Sequence, residues 1–258
     1  MKKEDLKFIK DFAEMAYEAY LMGWHERNGG NMSYRMEESE AENASFLYDE
    51  NAPWQKLDIS VPGLANEYFL VTGSGKYFKN IIKDPEDTLC ILQISEKGDS
   101  FRILWGLCNG GRPTSELASH LLNHEEKKRV TNGRYRIMYH AHPENVIALS
   151  FVLPCDEKVF TQKLWEMMPE CPLTFPEGLG VVPFMEAGSI ELGRATSEKM
   201  KDYNAVVWTH HGLFVSGDTF DEAFGLFHTV EKASSILVKV MSMYHGDGSL
   251  LHFFGIVV

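Results

Sequence analysis

The chain has 258 residues, of which 44% are hydrophobic and 12% aromatic, and its formal net charge at pH 7 is -12. This length is sufficient for one sizeable hydrophobic core, and the composition is typical of a globular protein. The negative charge argues against sequence-independent binding to nucleic acid or to an anionic membrane, because both require a basic surface.

The N-terminal segment and the cysteines favour a soluble, cytoplasmic protein. Met1 to Asp5 lead into an amphipathic segment and lack the apolar core of a signal peptide. No apolar run approaches the length needed to span a membrane. The cysteines form no Cys-x-x-Cys pair, and we expect reduced, mostly buried thiols. They are Cys90, Cys108, Cys155 and Cys171.

The N-terminal part of the chain alternates predicted helix and strand. Apolar residues between Leu6 and Tyr20 recur at helical spacing, and Gly23 ends this pattern. The loop Asn28-Gly29-Gly30-Asn31 then precedes a short alternating strand over 32–35. This loop is either a plain tight turn or a nest of backbone N–H groups and amide side chains that could hold an oxyanion. Residues 37–43 are acidic, and we predict a solvated loop there.

A second strand, Tyr68 to Val71, leads directly into Thr72-Gly73-Ser74-Gly75-Lys76. The complete phosphate-loop pattern G-x-x-x-x-G-K-[ST] is absent, so we do not expect ATP binding. A simpler phosphate contact through the backbone amides of Ser74 and Gly75 remains open. Two later apolar runs, 89–95 and 101–105, flank Glu-Lys-Gly-Asp and predict a hairpin.

The segment Pro113-Thr114-Ser115-Glu116 precedes a helical pattern that includes Leu117, His120, Leu121 and His124. Thr114 or Ser115 would serve as the N-cap residue, beside free backbone N–H groups and the positive end of the helix dipole. An anion could bind at this helix start. Glu116 is either a first-turn acid that stabilises the dipole, which is the commoner case, or a functional carboxylate.

Two histidine-bearing runs make the best candidate for a metal site. His140 and His142 end an apolar run that begins at Ile137, and side chains two apart on a strand project from the same face. A third imidazole could come from the run that ends in His210-His211-Gly212. Three neutral imidazoles leave zinc one open position, as in catalytic sites. The alternative is that His140 and His142 are partly buried histidines bonded to backbone carbonyls.

The rest of the chain continues the alternation of helix and strand. We predict helices over 143–152, 156–164, 190–200 and 218–240, a strand and turn over 171–182, and a hairpin over 206–215. No internal repeat or linker interrupts this order. We therefore predict one α/β domain over residues 1–258, built around a mixed sheet.

Five motifs, in this order, resemble those of the zinc-dependent class II sugar-phosphate aldolases. They are Glu26–Asn31, Thr72–Lys76, Pro113–Glu116, His140-Ala141-His142 and His211-Gly212. The resemblance extends from the first helix to the last. Within the family, the stretches 103–106, 145–149 and 160–166 are most similar to rhamnulose-phosphate aldolases. The implied fold is a three-layer α/β/α sandwich around a mixed, largely antiparallel sheet, and the implied assembly is a homotetramer with sites near subunit interfaces.

The resemblance also implies roles for individual residues. His140, His142 and His211 would bind one zinc ion per subunit, and Glu116 would be the acid–base residue. Glu170 would assist at the aldehyde end of the substrate across a subunit boundary. The residues implied to hold the substrate phosphate and nearby polar atoms are Asn28, Gly30, Asn31, Ser74, Gly75, Thr114 and Ser115.

Two features depart from the family pattern. His210 places a spare imidazole beside His211, and we expect only one of them to bind metal, because neighbouring residues on a strand face opposite sides. His211 is the expected ligand, because the glycine that follows it matches the family pattern. The C-terminal segment Tyr244 to Val258 carries few features that match the family. Any contribution of that segment to the active site is therefore in doubt.

The implied reaction is the reversible cleavage of L-rhamnulose 1-phosphate, a sugar phosphate, to dihydroxyacetone phosphate and L-lactaldehyde. It would pass through an enediolate whose charge the metal stabilises. An aldolase or 4-epimerase acting on fuculose or ribulose phosphate is the nearest alternative. A structural metal protein or a sugar-phosphate sensor is less favoured, because structural zinc often has cysteine ligands and no cysteine adjoins these histidines. A cupin-type oxygenase would show short alternating strands rather than long helices.

Overall fold

The computed structural model describes residues 6–243, and in this part of the chain nine strands form one sheet. In chain order the strands are β1 (Asn31–Arg35), β2 (Gln55–Lys56), β3 (Tyr68–Thr72), β4 (Leu89–Ile94), β5 (Ser100–Gly106), β6 (Ile137–Ala141), β7 (Gly180–Val182), β8 (Ala205–Trp208) and β9 (Gly212–Gly217). The α-helices are α1 (Lys7–Leu21), α2 (Glu38–Ala44), α3 (Phe78–Ile81), α4 (Pro85–Thr88), α5 (Leu117–Val130), α6 (Glu144–Leu149), α7 (Glu157–Trp165), α8 (Cys171–Thr174), α9 (Ile190–Lys199) and α10 (Phe220–Met243).

The sheet is mixed and largely antiparallel, as predicted. From one edge to the other its strand order is β2-β5-β4-β3-β1-β6-β9-β8-β7. Among the described strands only β7 and β8 pair in parallel. β1 and β6 lie side by side near the middle, with Asn31 opposite His140. Two motifs that are far apart in the sequence therefore meet at the same end of the sheet.

Helices cover both faces of this sheet, which confirms the predicted three-layer α/β/α arrangement. On the first face Met32 and Tyr139 pack in a core cluster with residues of α1, α6 and α10. On the second face two further clusters pack the sheet against α5 and α9, through Leu121 and Leu192 respectively. His140 follows Tyr139 on β6 and therefore points to the second face, where its ring lies beside Trp208.

Helix starts and buried faces follow from local sequence signals. Asp156, the first residue of the predicted helix 156–164, is the N-cap of α7 and accepts a hydrogen bond from the Val159 N–H at 3.0 Å. Ser189, which the sequence reading did not single out, accepts one from the Leu192 N–H at 3.2 Å and begins α9. The long helix α10 buries residues at helical spacing along one side, including Phe227.

The prediction of a solvated loop over 37–43 is wrong, because most of this segment forms α2. Glu37 and Glu40 form a capping box, in which each side chain bonds the other residue's backbone N–H group. Ala41 and Ala44 are buried on the inner side of the helix. This segment is a short amphipathic helix whose buried residues are both alanine. Alanine gives a weak hydrophobic signal, so the helix was not predicted among the acidic residues.

Two further segments differ from their predictions. The predicted strand and turn over 171–182 contains a helical turn, α8, and only Gly180–Val182 is strand. The predicted hairpin over 206–215 is confirmed, since β8 and β9 pair antiparallel, but His210 lies in the turn between them with a φ of +61°. The expectation that His210 lies on an extended strand is therefore wrong.

The cysteines match their prediction only in part. All four are free; Cys90 and Cys171 are buried, whereas Cys108 and Cys155 are exposed. None of the helices in the described part of the chain is long and apolar enough to cross a membrane. The predictions for Met1 to Asp5 and for Tyr244 to Val258 lie outside the described residues.

Candidate active site

Three histidine side chains meet where β6 ends and β9 begins. The ring nitrogens of His140, His142 and His211 that could bind a metal all lie within 4.8 Å of one another. His140 is buried, and the other two are half-buried. The strand spacing predicted that His140 and His142 point to the same side. The turn before β9 places His211 beside them.

The close approach of β9 to β6 depends on a glycine. Trp208 pairs with Gly212 across the turn between β8 and β9, so His211 lies at the end of β6. A Cβ atom on Gly212 would stand 2.4 Å from the Ala141 carbonyl oxygen, which is far too close for any side chain. Gly212 is thus required for this packing, whatever the role of its neighbour.

Hydrogen bonds fix which ring nitrogen of two histidines faces the cavity. The Nδ1 atom of His140 lies 3.0 Å from the Leu213 carbonyl oxygen, so it carries the hydrogen and donates it. His142 Nδ1 likewise donates to the Glu26 carboxylate at 2.6 Å. Each Nε2 is then turned away from this bond, and that of His140 is buried without a hydrogen-bond partner among the described residues. A bonded Nδ1 with a free, buried Nε2 is the arrangement of a metal-binding histidine.

The local electrostatics also suit a cation. Burial, together with the neighbouring imidazoles, lowers the pKa of His140 well below its ordinary value. Burial and His142 lower the pKa of His211 to about 4. Both rings are therefore neutral at pH 7 and have a lone pair to give. The donor set of three imidazoles fits zinc, which binds nitrogen ligands and keeps an open position in three-ligand sites.

Glu116 lies on the inner wall of the same site and is almost fully buried. Its Oε2 atom is 3.8 Å from His140 Nε2 and accepts a hydrogen bond from the Asn31 side-chain N–H at 2.6 Å. Burial raises the pKa of Glu116, whereas the bond from Asn31, the nearby His142 and the Gly188 backbone N–H oppose that rise. The carboxyl group is thus protected from solvent but is still held by specific donors.

The predicted cap of α5 is wrong. Glu116 itself is the N-cap residue, and no side chain caps the helix. The Thr114 hydroxyl instead accepts a hydrogen bond from the Glu116 N–H at 3.3 Å. The reason is that residues 112–114 run alongside the end of β3, where the Thr114 N–H donates to Thr72 O at 2.9 Å. This pairing holds Thr114 back from the helix start.

A cavity of about 180 Å³ joins these groups. Every residue implied for a metal, phosphate or acid–base role lines it, except Glu170. The lining residues are Asn28, Gly30, Asn31, Gly73, Ser74, Gly75, Thr114, Ser115, Glu116, His140, His142, Ala187 and His211. Ala187 was missed in the sequence, since nothing in its loop carries a chemical signature.

The loop after β3 faces the cavity, but not with the groups expected from the sequence. The Ser74 N–H donates to the Arg112 carbonyl at 2.9 Å, so this amide is not available to a phosphate. The Ser74 hydroxyl and the Gly75 backbone remain as candidates on this wall. Lys76, the last residue of the motif, forms an ion pair with Asp87 at 2.8 Å and does not line the cavity.

The two remaining predicted residues lie outside the cavity. Glu170 is exposed and precedes α8, and it does not line the cavity of its own chain. The ring of His210 stacks on Phe151 at a centroid distance of 3.9 Å, and its Nε2 lies 3.1 Å from the Ser150 carbonyl oxygen. His210 is therefore turned away from the other three histidines by the turn conformation, not by strand alternation.

His25, which was not predicted as a site residue, holds the loop before β1 in place. His25 Nδ1 donates to the Gly29 carbonyl at 2.8 Å, and its Nε2 bonds the Tyr139 hydroxyl at 2.8 Å. Burial lowers the pKa of His25 to about 3. Gly30 follows with a φ of +75°, and a Cβ there would lie 2.6 Å from the His140 carbonyl oxygen. This packing holds the loop from which Asn28 lines the cavity and Glu26 bonds His142.

Known proteins resemble the chain over nearly its whole length. A family model described as the class II aldolase and adducin N-terminal domain matches residues 10–238. The chain is 45% identical over 236 residues to a rhamnulose-1-phosphate aldolase of Mannheimia succiniciproducens, covering 92% of this chain and 87% of that protein. It is 42% identical over 239 residues to the rhamnulose-1-phosphate aldolase of Klebsiella pneumoniae, covering 93% and 87%.

Solved structures of similar shape carry related names. A sugar-phosphate aldolase from Thermotoga maritima superposes with a TM-score of 0.80 at 30% identity, covering 93% of this chain and 97% of that one. An L-fuculose-1-phosphate aldolase from Thermus thermophilus superposes with a TM-score of 0.59 at 20% identity, covering 92% and 96%. The second likeness concerns the fold alone.

Proposed function

Because this chain belongs to the class II aldolase and adducin family, as a sugar-phosphate aldolase, we propose that its substrate is L-rhamnulose 1-phosphate. The enzyme would cleave it reversibly to dihydroxyacetone phosphate and L-lactaldehyde. The observation that carries the proposal is that a buried carboxylate, Glu116, lies 3.8 Å from the free nitrogen of one of three converging imidazoles. The choice of sugar follows the relatives, which are 42% and 45% identical and are named for this substrate.

We propose that His140, His142 and His211 hold one zinc ion per subunit. When bound, the ion supplies a fixed positive charge for the oxyanion that develops on the substrate as the carbon–carbon bond breaks. The protein contributes the orientation of its ligands. The Leu213 carbonyl and the Glu26 carboxylate hold the His140 and His142 rings with Nε2 free, so no rearrangement is needed for binding.

Glu116 is proposed as the residue that moves the proton of the carbon next to the ketone. In the cleavage direction its carboxyl group gives a proton to that carbon, and in the synthesis direction its carboxylate removes it. Burial raises the pKa of Glu116 toward neutral pH, where a general acid–base group works best. The hydrogen bond from Asn31 at 2.6 Å prevents the carboxyl group from rotating away from the substrate.

One part of the cavity lining is proposed to hold the phosphate. Asn28 and Gly30 come from the loop before β1, Asn31 is the first residue of β1, and the remaining candidates, Ser74, Gly75, Thr114 and Ser115, come from the two paired loops beyond β3. The chain has a net charge of -12, so attraction by overall charge cannot hold a phosphate here. Binding would depend on backbone N–H and side-chain donors directed at the phosphate oxygens.

Glu170 enters the proposal only through assembly. In one chain it is exposed and far enough from the cavity not to line it. We propose that in a cytoplasmic homotetramer it reaches the cavity of a neighbouring subunit and assists at the aldehyde end. The same cavity could serve an aldolase or 4-epimerase for fuculose or ribulose phosphate, and only a substrate comparison separates these activities.

That comparison is the test. The purified protein is assayed for its metal content, for release of dihydroxyacetone phosphate from L-rhamnulose 1-phosphate and L-fuculose 1-phosphate, and for 4-epimerisation of ribulose 5-phosphate, which releases no dihydroxyacetone phosphate. We expect one zinc ion per subunit and the highest kcat/KM with the rhamnulose phosphate. Chelation should abolish the activity, and added zinc should restore it. A higher kcat/KM with either other sugar, or activity that survives chelation, would contradict the proposal.

A further inference from the structure

Helix α5 carries a buried polar stripe that leads away from the candidate active site. Glu116, His120 and His124 are spaced by four residues and face the sheet from the same side of the helix. Both imidazoles are fully buried. Burying two such rings is costly unless their nitrogens are hydrogen-bonded, so the partners of these rings show what the stripe does.

The stripe is linked to Glu116 by a continuous series of hydrogen bonds. His124 Nε2 lies 2.8 Å from the Ser33 hydroxyl, and the same hydroxyl lies 2.6 Å from His120 Nδ1. His120 Nε2 lies 2.5 Å from the Asn31 side-chain oxygen. The Asn31 side-chain nitrogen then donates to Glu116 Oε2 at 2.6 Å.

With an ionised Glu116, only one placement of hydrogens satisfies this series. A carboxylate cannot donate, so the Asn31 amide must direct its N–H to Glu116 and its oxygen to His120. His120 must therefore carry its hydrogen on Nε2 and accept on Nδ1. The acceptor on Nδ1 takes the Ser33 hydroxyl hydrogen, and the Ser33 oxygen accepts from His124 Nε2–H. Every donor then points toward Glu116.

The charges at the two ends favour the same placement. Burial lowers the pKa of His120 to about 3, so that ring is neutral. Burial also lowers the pKa of His124, and the nearby guanidinium of Arg35 adds to that effect. Arg35 is itself held by an ion pair with Glu67 at 3.3 Å. The hydrogen-bonded series thus ends at His124, near the Arg35 guanidinium, on one side and at the Glu116 carboxylate on the other.

This series orients groups and does not conduct protons. Asn31 interrupts it, because an amide N–H is far too weak an acid to pass a proton on. His120 donates a hydrogen bond to the Asn31 side-chain oxygen. This bond selects one of the two amide orientations, which differ by exchange of the oxygen and the nitrogen. Without that donor the Asn31 side chain could rotate and present its oxygen to the Glu116 carboxylate, which would repel it.

We propose that His120 is a positioning residue, which acts through Asn31 to hold the Glu116 carboxyl group against the substrate, with Ser33 and His124 as its supports. This inference rests on the proposed acid–base role of Glu116. Loss of the His120 donor should therefore lower kcat by a larger factor than it raises KM, with the zinc content unchanged, because His120 itself does not line the cavity and acts on it only through Asn31.

Two substitutions of His120 separate orientation from packing. His120→Gln places an amide N–H near the position of Nε2 and should keep the bond to Asn31, so we expect kcat within about threefold of the parent. His120→Asn reaches only the position of Nδ1 and loses that donor, and we expect kcat to fall roughly 10- to 100-fold, the usual effect of losing an outer-shell partner. Both should keep one zinc ion per subunit, and any rise in KM should be smaller than the fall in kcat.

Asn123→Ala is the matched control on the same helix. Asn123 is fully buried, and its side-chain nitrogen bonds only the Ser119 carbonyl of its own helix. This variant should lower the melting temperature and leave kcat unchanged. If it lowers kcat as much as His120→Asn does, or if His120→Asn keeps the parent kcat, the positioning role is overturned.

A measurement that does not depend on activity tests the same placement of hydrogens. In the zinc-loaded protein with nitrogen-labelled histidine, NMR should show His120 and His124 as neutral rings protonated on Nε2. A His120 ring protonated on Nδ1, or a charged ring, would overturn the inference even if both variants failed to fold. An inactive parent enzyme with this hydrogen placement would instead count against the proposed function.

Discussion

Two sets of histidines in this chain differ in what their second ring nitrogen does. We call His140, His142 and His211 the cavity set, and His25 and His120 the network set. In the network set both ring nitrogens are hydrogen-bonded within the protein. In His140 and His142 only Nδ1 is bonded, and Nε2 is left for the cavity.

Burial alone does not separate the two sets, because His140 is as fully buried as His25 and His120. Burial lowers the pKa of His25 and His120 to about 3, and it lowers that of His211 to about 4. A neutral, buried imidazole is therefore common to both. The difference that matters for function is a free lone pair beside a cavity, and it depends on where the neighbouring carbonyl and carboxylate groups lie.

Replacing a member of the cavity set should have the largest effect. His140→Ala removes a buried ligand, and we expect loss of bound zinc and a fall in kcat of at least about 10³-fold, since Lewis-acid stabilisation contributes several kcal/mol. Metal analysis of the purified variant, together with the dihydroxyacetone phosphate assay, measures both. His120→Asn should keep its zinc. If it loses the ion as completely as His140→Ala does, the distinction between the two sets is wrong.

Glu116 joins the two sets, because it lies beside His140 and is bonded through Asn31 to His120. Glu116→Gln keeps the shape and removes the proton-transferring group. We expect kcat to fall about 10²- to 10⁴-fold while zinc is retained. Glu191→Gln, an exposed acid in the first turn of α9, is the matched control and should behave as the parent. A Glu116→Gln variant with parental kcat would remove Glu116 from the mechanism.

The orientation of His142 should contribute a smaller effect. Glu26→Ala removes the carboxylate that accepts the Nδ1 hydrogen at 2.6 Å, so the ring could turn or change its tautomer. We expect the dissociation constant for zinc to rise roughly 10- to 100-fold. A competition titration with a chelator of known affinity measures this constant. Glu14→Ala, an exposed acid on α1, should leave it unchanged.

Much of the cavity set could be predicted from the sequence, because strand alternation is a local rule. His140 lies on β6 and His142 directly follows that strand, so their shared direction could be expected from a spacing of two residues. The choice of His211 over His210 needed the family pattern, since the turn that rotates His210 away leaves no local signal. The order of the five short motifs likewise indicated the fold family from the sequence alone.

The network set could not be predicted, because its contacts join residues far apart in the chain. His120 and Asn31 are 89 residues apart, and only the central pairing of β1 with β6 and the packing of α5 bring them together. The Ser74 amide was assigned to phosphate because its partner, Arg112, lies on a separate loop. Helix α2 was missed for a simpler reason, since alanine gives little hydrophobic signal.

His25, a member of the network set, should contribute to the pH dependence of the free energy of unfolding. The pKa of His25 falls from 6.5 when unfolded to about 3 in the native protein. Between these values the unfolded chain binds the extra proton, so the free energy of unfolding rises with pH. This contribution is complete above pH 6.5 and is lost as the pH falls toward 3. One such group contributes a slope of about 1.4 kcal/mol per pH unit.

The measurement is urea unfolding of the metal-free protein between about pH 4 and pH 6, a range that lies inside this window. In the His25→Gln variant the slope of the free energy of unfolding against pH should be smaller by about one proton. Removing the metal first keeps ligand loss from the cavity set out of the result. A variant with the parental slope would show that His25 is not the buried, neutral ring described here.

The smallest effect is expected at His210, and it is informative because its neighbour should behave so differently. Asparagine tolerates the left-handed backbone of this position, where φ is +61°, so His210→Asn removes the ring without straining the turn. We expect zinc content and kcat within about twofold of the parent, as for most surface changes. His211→Asn, one residue later, should lose the metal. If His210→Asn loses the metal instead, the His210 ring must leave Phe151 and turn toward the cavity in solution. A ring nitrogen without a hydrogen-bond partner would then not identify the metal-binding histidines.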